Sequence, residues 1–145
     1  MSDFRRINDK VLASPQISVS DVAEAKAMGV TLIVNNRPDD EEPGQIAGDE
    51  IAAAAEAADI SYVAIPVTHA GFGQGQVDAM AKALDSAGDG QILAFCRSGT
   101  RSTLLWALAS AKQGKNPSVI ASEAAGAGYD ISPVRQIVEM LSAGS

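Results

Sequence analysis

Cysteine, histidine and tryptophan each occur once in this chain of 145 residues, and aromatic side chains make up only 4% of it. A lone cysteine, Cys96, cannot close an internal disulfide, so the fold must hold without a covalent cross-link. With few large rings and alanine dominating many helical stretches, the core is expected to rest on small side chains and close approach of helices to a sheet. Positive charge is also short: 11 basic against 18 acidic residues leave a net charge of −7, with no bulk attraction to nucleic acid or an anionic membrane. Any anion site must therefore be local. No apolar run is long enough to span a bilayer and no secretory signal pattern is found, so a soluble cytoplasmic protein is expected. A dinucleotide fingerprint is missing too, because Gly71, Gly73 and Gly75 do not have Gly-x-Gly-x-x-Gly spacing. Neither a cofactor nor a metal is expected. Length and a 46% hydrophobic share suit one domain over 1–145.

What the chain does contain is one concentrated stretch, Phe95-Cys96-Arg97-Ser98-Gly99-Thr100-Arg101-Ser102. Before it, Gln91 to Phe95 is short and apolar and reads as a buried strand. After it, Ser102 to Gln113 is apolar on nearly every face and stops at Gly114, which predicts a buried helix. The loop thus joins strand to helix, where unpaired N–H groups and the helix dipole favour negative charge. Cys96 at this position reads as a thiolate nucleophile, with Arg97 and Arg101 adding positive charge. Gly99 lets the backbone turn its amides inward, and the loop from Arg97 through Ser98, Gly99 and Thr100 to Arg101 becomes an anion cradle. A lone cysteine is more commonly a small core residue, but that reading leaves two arginines and a glycine in six positions unexplained.

In chain order, Phe4 to Ile7 and Lys10 to Ala13 flank Asn8-Asp9 and predict a short hairpin or two edge strands. Ser18-Val19-Ser20-Asp21 has the form of a helix start, with Gly29 as the stop. Val30 to Asn35 is a strand that empties into the polar loop Asn36 to Gly44. Arg37 in that loop is either an exposed arginine paired with the acidic run beside it or a substrate contact. Ile46 to Ala58 predicts a helix, Ser61 to Val67 a strand, and Thr68 to Gly75 a glycine-rich flap. Val77, Met80, Ala81 and Leu84 mark one face of the next helix. Ser118 to Ala125 reads as helical, and Ser132-Pro133 starts a final helix carrying Val134, Ile137, Val138 and Leu141. Strands alternating with helices imply an α/β fold, a mainly parallel central sheet with helices on both faces. Ligands of such sheets collect at the carboxyl ends of the strands, where Cys96, Arg37 and the flap all fall.

Val34 to Asp39, Ile65-Pro66-Val67 and Cys96 to Ser102 together resemble the phosphatase-like domain family that also occurs fused to beta-lactamase-like hydrolases. The resemblance runs from Phe4 to Leu141 and implies a fold like that of dual-specificity and tyrosine phosphatases. It implies Cys96 as a nucleophile forming a phosphocysteine, Arg101 as the clamp on phosphoryl oxygens, and Ser102 as a hydroxyl that helps the thiolate leave. The sequence departs from the tyrosine phosphatase pattern twice. Four residues rather than five separate Cys96 from Arg101, and Thr68 to Gly75 has no carboxylate to protonate a leaving oxygen. His69 is the nearest substitute acid, with Asp39 and Asp78 as weaker ones.

The short loop resembles instead the rhodanese sulfurtransferases, whose active loop often reads Cys-Arg-x-Gly-x-Arg. Transfer of sulfur needs no oxygen-protonating acid, because sulfite or a thiolate leaves as a stable anion. The expected activity is therefore sulfane-sulfur transfer through a Cys96 persulfide, from thiosulfate or a persulfide donor. The alternatives are phosphomonoester hydrolysis and a non-catalytic anion-binding or redox-sensing module built on an exposed thiol. In each case the expected partner is a small anion.

Overall fold

In the computed structural model, residues 2–68 and 70–144 are described. The parallel strands form where β-branched and apolar residues run together. They are β2 (Val11–Ser14), β3 (Val30–Asn35), β4 (Ser61–Ala64) and β5 (Gln91–Phe95), with the short β1 (Arg5–Arg6) antiparallel to β2. Their order across the sheet is β1-β2-β5-β3-β4, so β5 lies in the middle with a parallel neighbour on each side. The predicted hairpin of β1 and β2 is present. Of these two strands only β1 is an edge, however, because β2 pairs with β5 from Val11–Ile92 to Ser14–Phe95.

Alternation along the strands builds two cores. Val11, Ala13, Ile92 and Ala94 face one side with α3 (Gln74–Ser86), α4 (Thr100–Lys112), α5 (Pro117–Gly126) and α6 (Arg135–Ala143). Leu12, Leu93 and Phe95 face the other with α1 (Val19–Met28) and α2 (Gly48–Ala57). In β3 the period slips: Val30 and Leu32 lie in opposite cores although two residues apart. The register irregularity between these residues supplies the extra residue, Thr31. Buried Ala25, Ala55, Ala94, Ala107, Ala109, Ala111 and Ala124 confirm a core rich in small side chains.

Helix ends follow the local chemistry closely. Ser18 Oγ accepts from the Asp21 N–H while the Asp21 carboxylate accepts from the Ser18 N–H, and Gly29 closes α1 in the left-handed conformation at φ +97°. Other boundaries shift. β4 ends at Ala64 rather than Val67, since Pro66 has no N–H for the ladder, although Ile65 and Val67 still donate to the Asn35 and Asn36 carbonyls. The predicted last helix divides into a single 3-10 turn, Ser132–Val134, and α6. No helix among the described residues is long and apolar enough to cross a membrane.

Candidate active site

The loop after β5 is anchored to both neighbouring strands. Cys96 N–H donates to the Ser14 carbonyl at 3.3 Å, Gln16 N–H donates to the Arg97 carbonyl at 3.3 Å, and Asn36 N–H donates to the Phe95 carbonyl at 2.8 Å. Between these ties the chain turns through Gly99, at φ +92°, directly into α4. Gly99, at the cap position, has no side chain to offer, although Ser98 Oγ accepts from the Thr100 N–H at 3.3 Å, and the positive end of the helix faces the loop. The Gly99 N–H points back at Cys96 Sγ over 3.1 Å. Cys96 itself has no exposed surface, so attack on a ligand requires the cleft lining to open over the sulfur. This burial corrects the premise of an exposed thiol on which the redox-sensing alternative rested.

Arg101 does not reach into open solvent. Its Nη1 donates to Glu41 Oε2 and to the Val67 carbonyl, each at 2.7 Å, and its Nη2 donates to Glu41 Oε1 at 2.8 Å. Glu41 thus grips the Nη edge of the guanidinium. Of the five guanidinium donors these bonds take three, and the Nε edge lies outside the Glu41 grip. The Arg101 hydrogen bonds hold the Glu41 carboxyl down to about 2, with Arg37 adding to the effect and partial burial opposing it. Reciprocally, Glu41 raises the Arg101 pKa above its ordinary value, and Cys96 contributes to that rise.

Arg37 pairs with the acidic run beside it, as one of the two sequence readings has it, but it is buried rather than exposed. It is 3% exposed, and its Nε, Nη1 and Nη2 donate to Glu41, Gln16 and Glu42 at 2.9, 3.0 and 2.9 Å. Arg97 is the outward member of the set, its side chain 64% exposed and 3.5 Å from Glu42. Pro38, Glu41, Thr68, Arg97, Ser98 and Arg101 line a cleft of about 440 Å³ at this end of the sheet. The fold therefore brings Cys96, Arg97, Ser98, Gly99, Thr100 and Arg101 together and sets Arg37 beneath them as a tie.

Ser102 is fully buried in the first turn of α4, and its Oγ has no hydrogen-bond partner among the described residues. Ser98 Oγ donates to Thr100 Oγ1 at 3.0 Å, which closes the loop on itself. His69 lies outside the described residues. Asp39 accepts from the Gly48 N–H at the start of α2, Asp78 pairs with Lys112, and neither is among the residues that line the cleft. Sequence reasoning places Glu41 in the acidic run beside Arg37 but misses its grip on Arg101, sixty residues away. It also passed over Tyr129, whose O–H reaches the Ser98 carbonyl from a distant segment and leaves no local trace.

Comparison with known proteins agrees with this architecture. Residues 3–113 match the family described as Beta-lactamase hydrolase-like protein, phosphatase-like domain. The Beta-lactamase hydrolase-like protein of Agrobacterium fabrum (strain C58 / ATCC 33970) is 34% identical over 110 residues, 76% of this chain and 25% of that protein. The chain thus spans about a quarter of the length of the curated relatives it matches. A "putative phosphatase" from Neisseria meningitidis Z2491 superposes with a TM-score of 0.80 at 27% identity, covering 97% of this chain and 99% of its own. TpbA of P. aeruginosa, in a variant complexed with pTyr, shares the fold at TM-score 0.67 and 18% identity, over 98% of this chain and 89% of its own. The fold is that of the phosphatase-like proteins, and the chain belongs to the phosphatase-like domain family of the Beta-lactamase hydrolase-like proteins.

Proposed function

We propose that this domain transfers sulfane sulfur through a persulfide on Cys96. The observation that carries the reading is the state of Glu41, the one carboxylate lining the cleft among the described residues. Glu41, held at about 2 by Arg101, is ionised at any physiological pH and has no proton to give a leaving oxygen. Sulfur chemistry needs none. The Cys96 thiolate attacks the outer sulfur of thiosulfate, a sulfur–sulfur bond forms, and the sulfur–sulfonate bond breaks with its electron pair leaving on sulfite. An acceptor thiolate or cyanide then takes the outer sulfur, and the electron pair of the breaking bond returns to Cys96. Charge is conserved in both steps without proton transfer.

The chain's own groups serve both steps. The Gly99 N–H and the start of α4 face the sulfur on which negative charge collects, and Arg101 offers the guanidinium edge that Glu41 does not hold. Ser102 Oγ, buried and without a hydrogen-bond partner among the described residues, is the hydroxyl this reading assigns to the departing Cys96 sulfur. Phosphomonoester hydrolysis is the second reading, favoured by the family description and by the phosphotyrosine complex of TpbA. In that reading His69 or another group supplies the proton.

Side-by-side turnover of thiosulfate with cyanide and of an aryl phosphate, each against Cys96→Ser, tests the proposal. Thiocyanate formation that disappears in Cys96→Ser is expected. Phosphate release alone would replace the sulfur reading with the hydrolytic one, and Cys96→Ser retaining turnover would remove Cys96 as the nucleophile.

A further inference from the structure

The peptide between Ser98 and Gly99 is held at both of its polar ends. A trans peptide points its C=O and its N–H to opposite sides, and none of the described peptide bonds is cis. Inside the loop, the Gly99 N–H is 3.1 Å from Cys96 Sγ. Outside it, the Ser98 carbonyl accepts from the Tyr129 O–H at 3.2 Å. Rotating this peptide by half a turn would aim a carbonyl oxygen at the sulfur and repel a thiolate. Glycine makes such a rotation easy, since it has no Cβ to resist it.

We propose that Tyr129 is a positioning residue that locks the Ser98–Gly99 peptide with its N–H turned toward Cys96. Its fit is close: a Cβ on Gly99 would sit 2.1 Å from the Tyr129 oxygen, so the ring occupies space that only glycine leaves. The ring is buried to 8% exposure, and the Arg5 guanidinium lies 5.2 Å from its centre. Burial raises the phenol pKa, which keeps the hydroxyl protonated as a donor across the neutral range. Tyr129 falls outside residues 3–113, the part that matches the family, so a segment beyond the matched domain sets the geometry of its nucleophile loop. The inference rests on Cys96 acting as a nucleophile and not on which group it transfers.

Tyr129→Phe keeps the ring and its stacking on Arg5 while removing the donor. The thiolate fraction of Cys96 is read by ultraviolet absorbance across pH against Cys96→Ser, which needs no turnover. The expected result is a titration displaced to higher pH, with kcat lowered about fivefold and KM changed less than about twofold, the size a neutral hydrogen bond carries. Placing p-aminophenylalanine at position 129 returns a donor to the same point and should restore both. A folded Tyr129→Phe with wild-type titration overturns the proposal. So does a loss that the amino variant fails to restore, since the missing donor would then not be its cause. Should Tyr129→Phe not fold, exchange of the Gly99 amide in the wild-type protein decides: protection supports the lock, and exchange at the rate of a free amide overturns it. If neither donor turns over, the titration still reports on the lock while the functional reading fails separately.

Discussion

Arg101 and Glu41 are the pair on which the chemistry and the stability of the site meet. Arg101→Lys removes the planar fork, and a single ammonium cannot serve Glu41, the Val67 carbonyl and a bound anion together. Turnover should fall about a hundredfold or more, as on loss of a transition-state donor, and wild-type rates in a folded variant would place Arg101 outside the reaction. Glu41→Gln leaves the buried Arg37 and the partly exposed Arg101 without their shared anion, which should cost roughly 1–3 kcal/mol in urea unfolding. The pH sign follows from the pKa. Folding lowers Glu41 to about 2, so its contribution is fully present above the ordinary carboxylate pKa near 4.5 and is lost as pH falls from there through 2. Wild type should therefore lose stability across that window more steeply than Glu41→Gln. At this scale the sequence was informative about what lies within a few residues. Cys96, Gly99 and Arg101 could be named because they share one loop, whereas the burial of Arg37 could not, since Gln16 and the folded 41–42 turn create it.

The elements show the same division between local and distant causes. The capping box of α1 and its Gly29 stop were legible because both signals are contained in the segment they close. The bulge in β3 was not, because Val30 to Asn35, rich in β-branched residues, reads as one continuous strand and only pairing with β5 reveals the extra residue. That bulge makes a specific demand on Gly90, where an added Cβ would lie 2.0 Å from Thr31 Oγ1 and 2.9 Å from Thr31 Cβ. Thr31 is β-branched and has no rotamer that removes Cβ itself. Gly90→Ala should therefore destabilise by about 1–3 kcal/mol, measured by chemical unfolding. The cost should shrink in a Thr31→Gly background, and equal costs in both backgrounds would rule out the clash as the cause.

On the scale of the whole molecule, the family match ends at residue 113 while the core does not. Ten of the thirteen residues of α4 are buried, and α5 and α6 supply Ile120, Ala124 and Val138 to the same core cluster. A chain ending at Gln113 would bare that helix, so it should lose its cooperative melt, with Trp106 emission shifting as the ring, 1% exposed in the full chain, meets water. A soluble truncated chain with a sharp transition would show that α5 and α6 are dispensable. The alternating pattern made the sheet and its two helical layers readable in advance, since each strand and helix carries its own period. Strand order was not readable, because β5 enters the sheet between two strands made much earlier.

That late insertion has a thermal consequence. The nucleophile loop hangs from the strand joined to β2 on one side and β3 on the other, and its backbone is tied to both strand ends. Both of its ends are tied to neighbouring strands, so it should not melt ahead of the sheet. Loss of catalysis on heating should then coincide with global unfolding, and residual activity after a heat pulse should equal the fraction of molecules that refold.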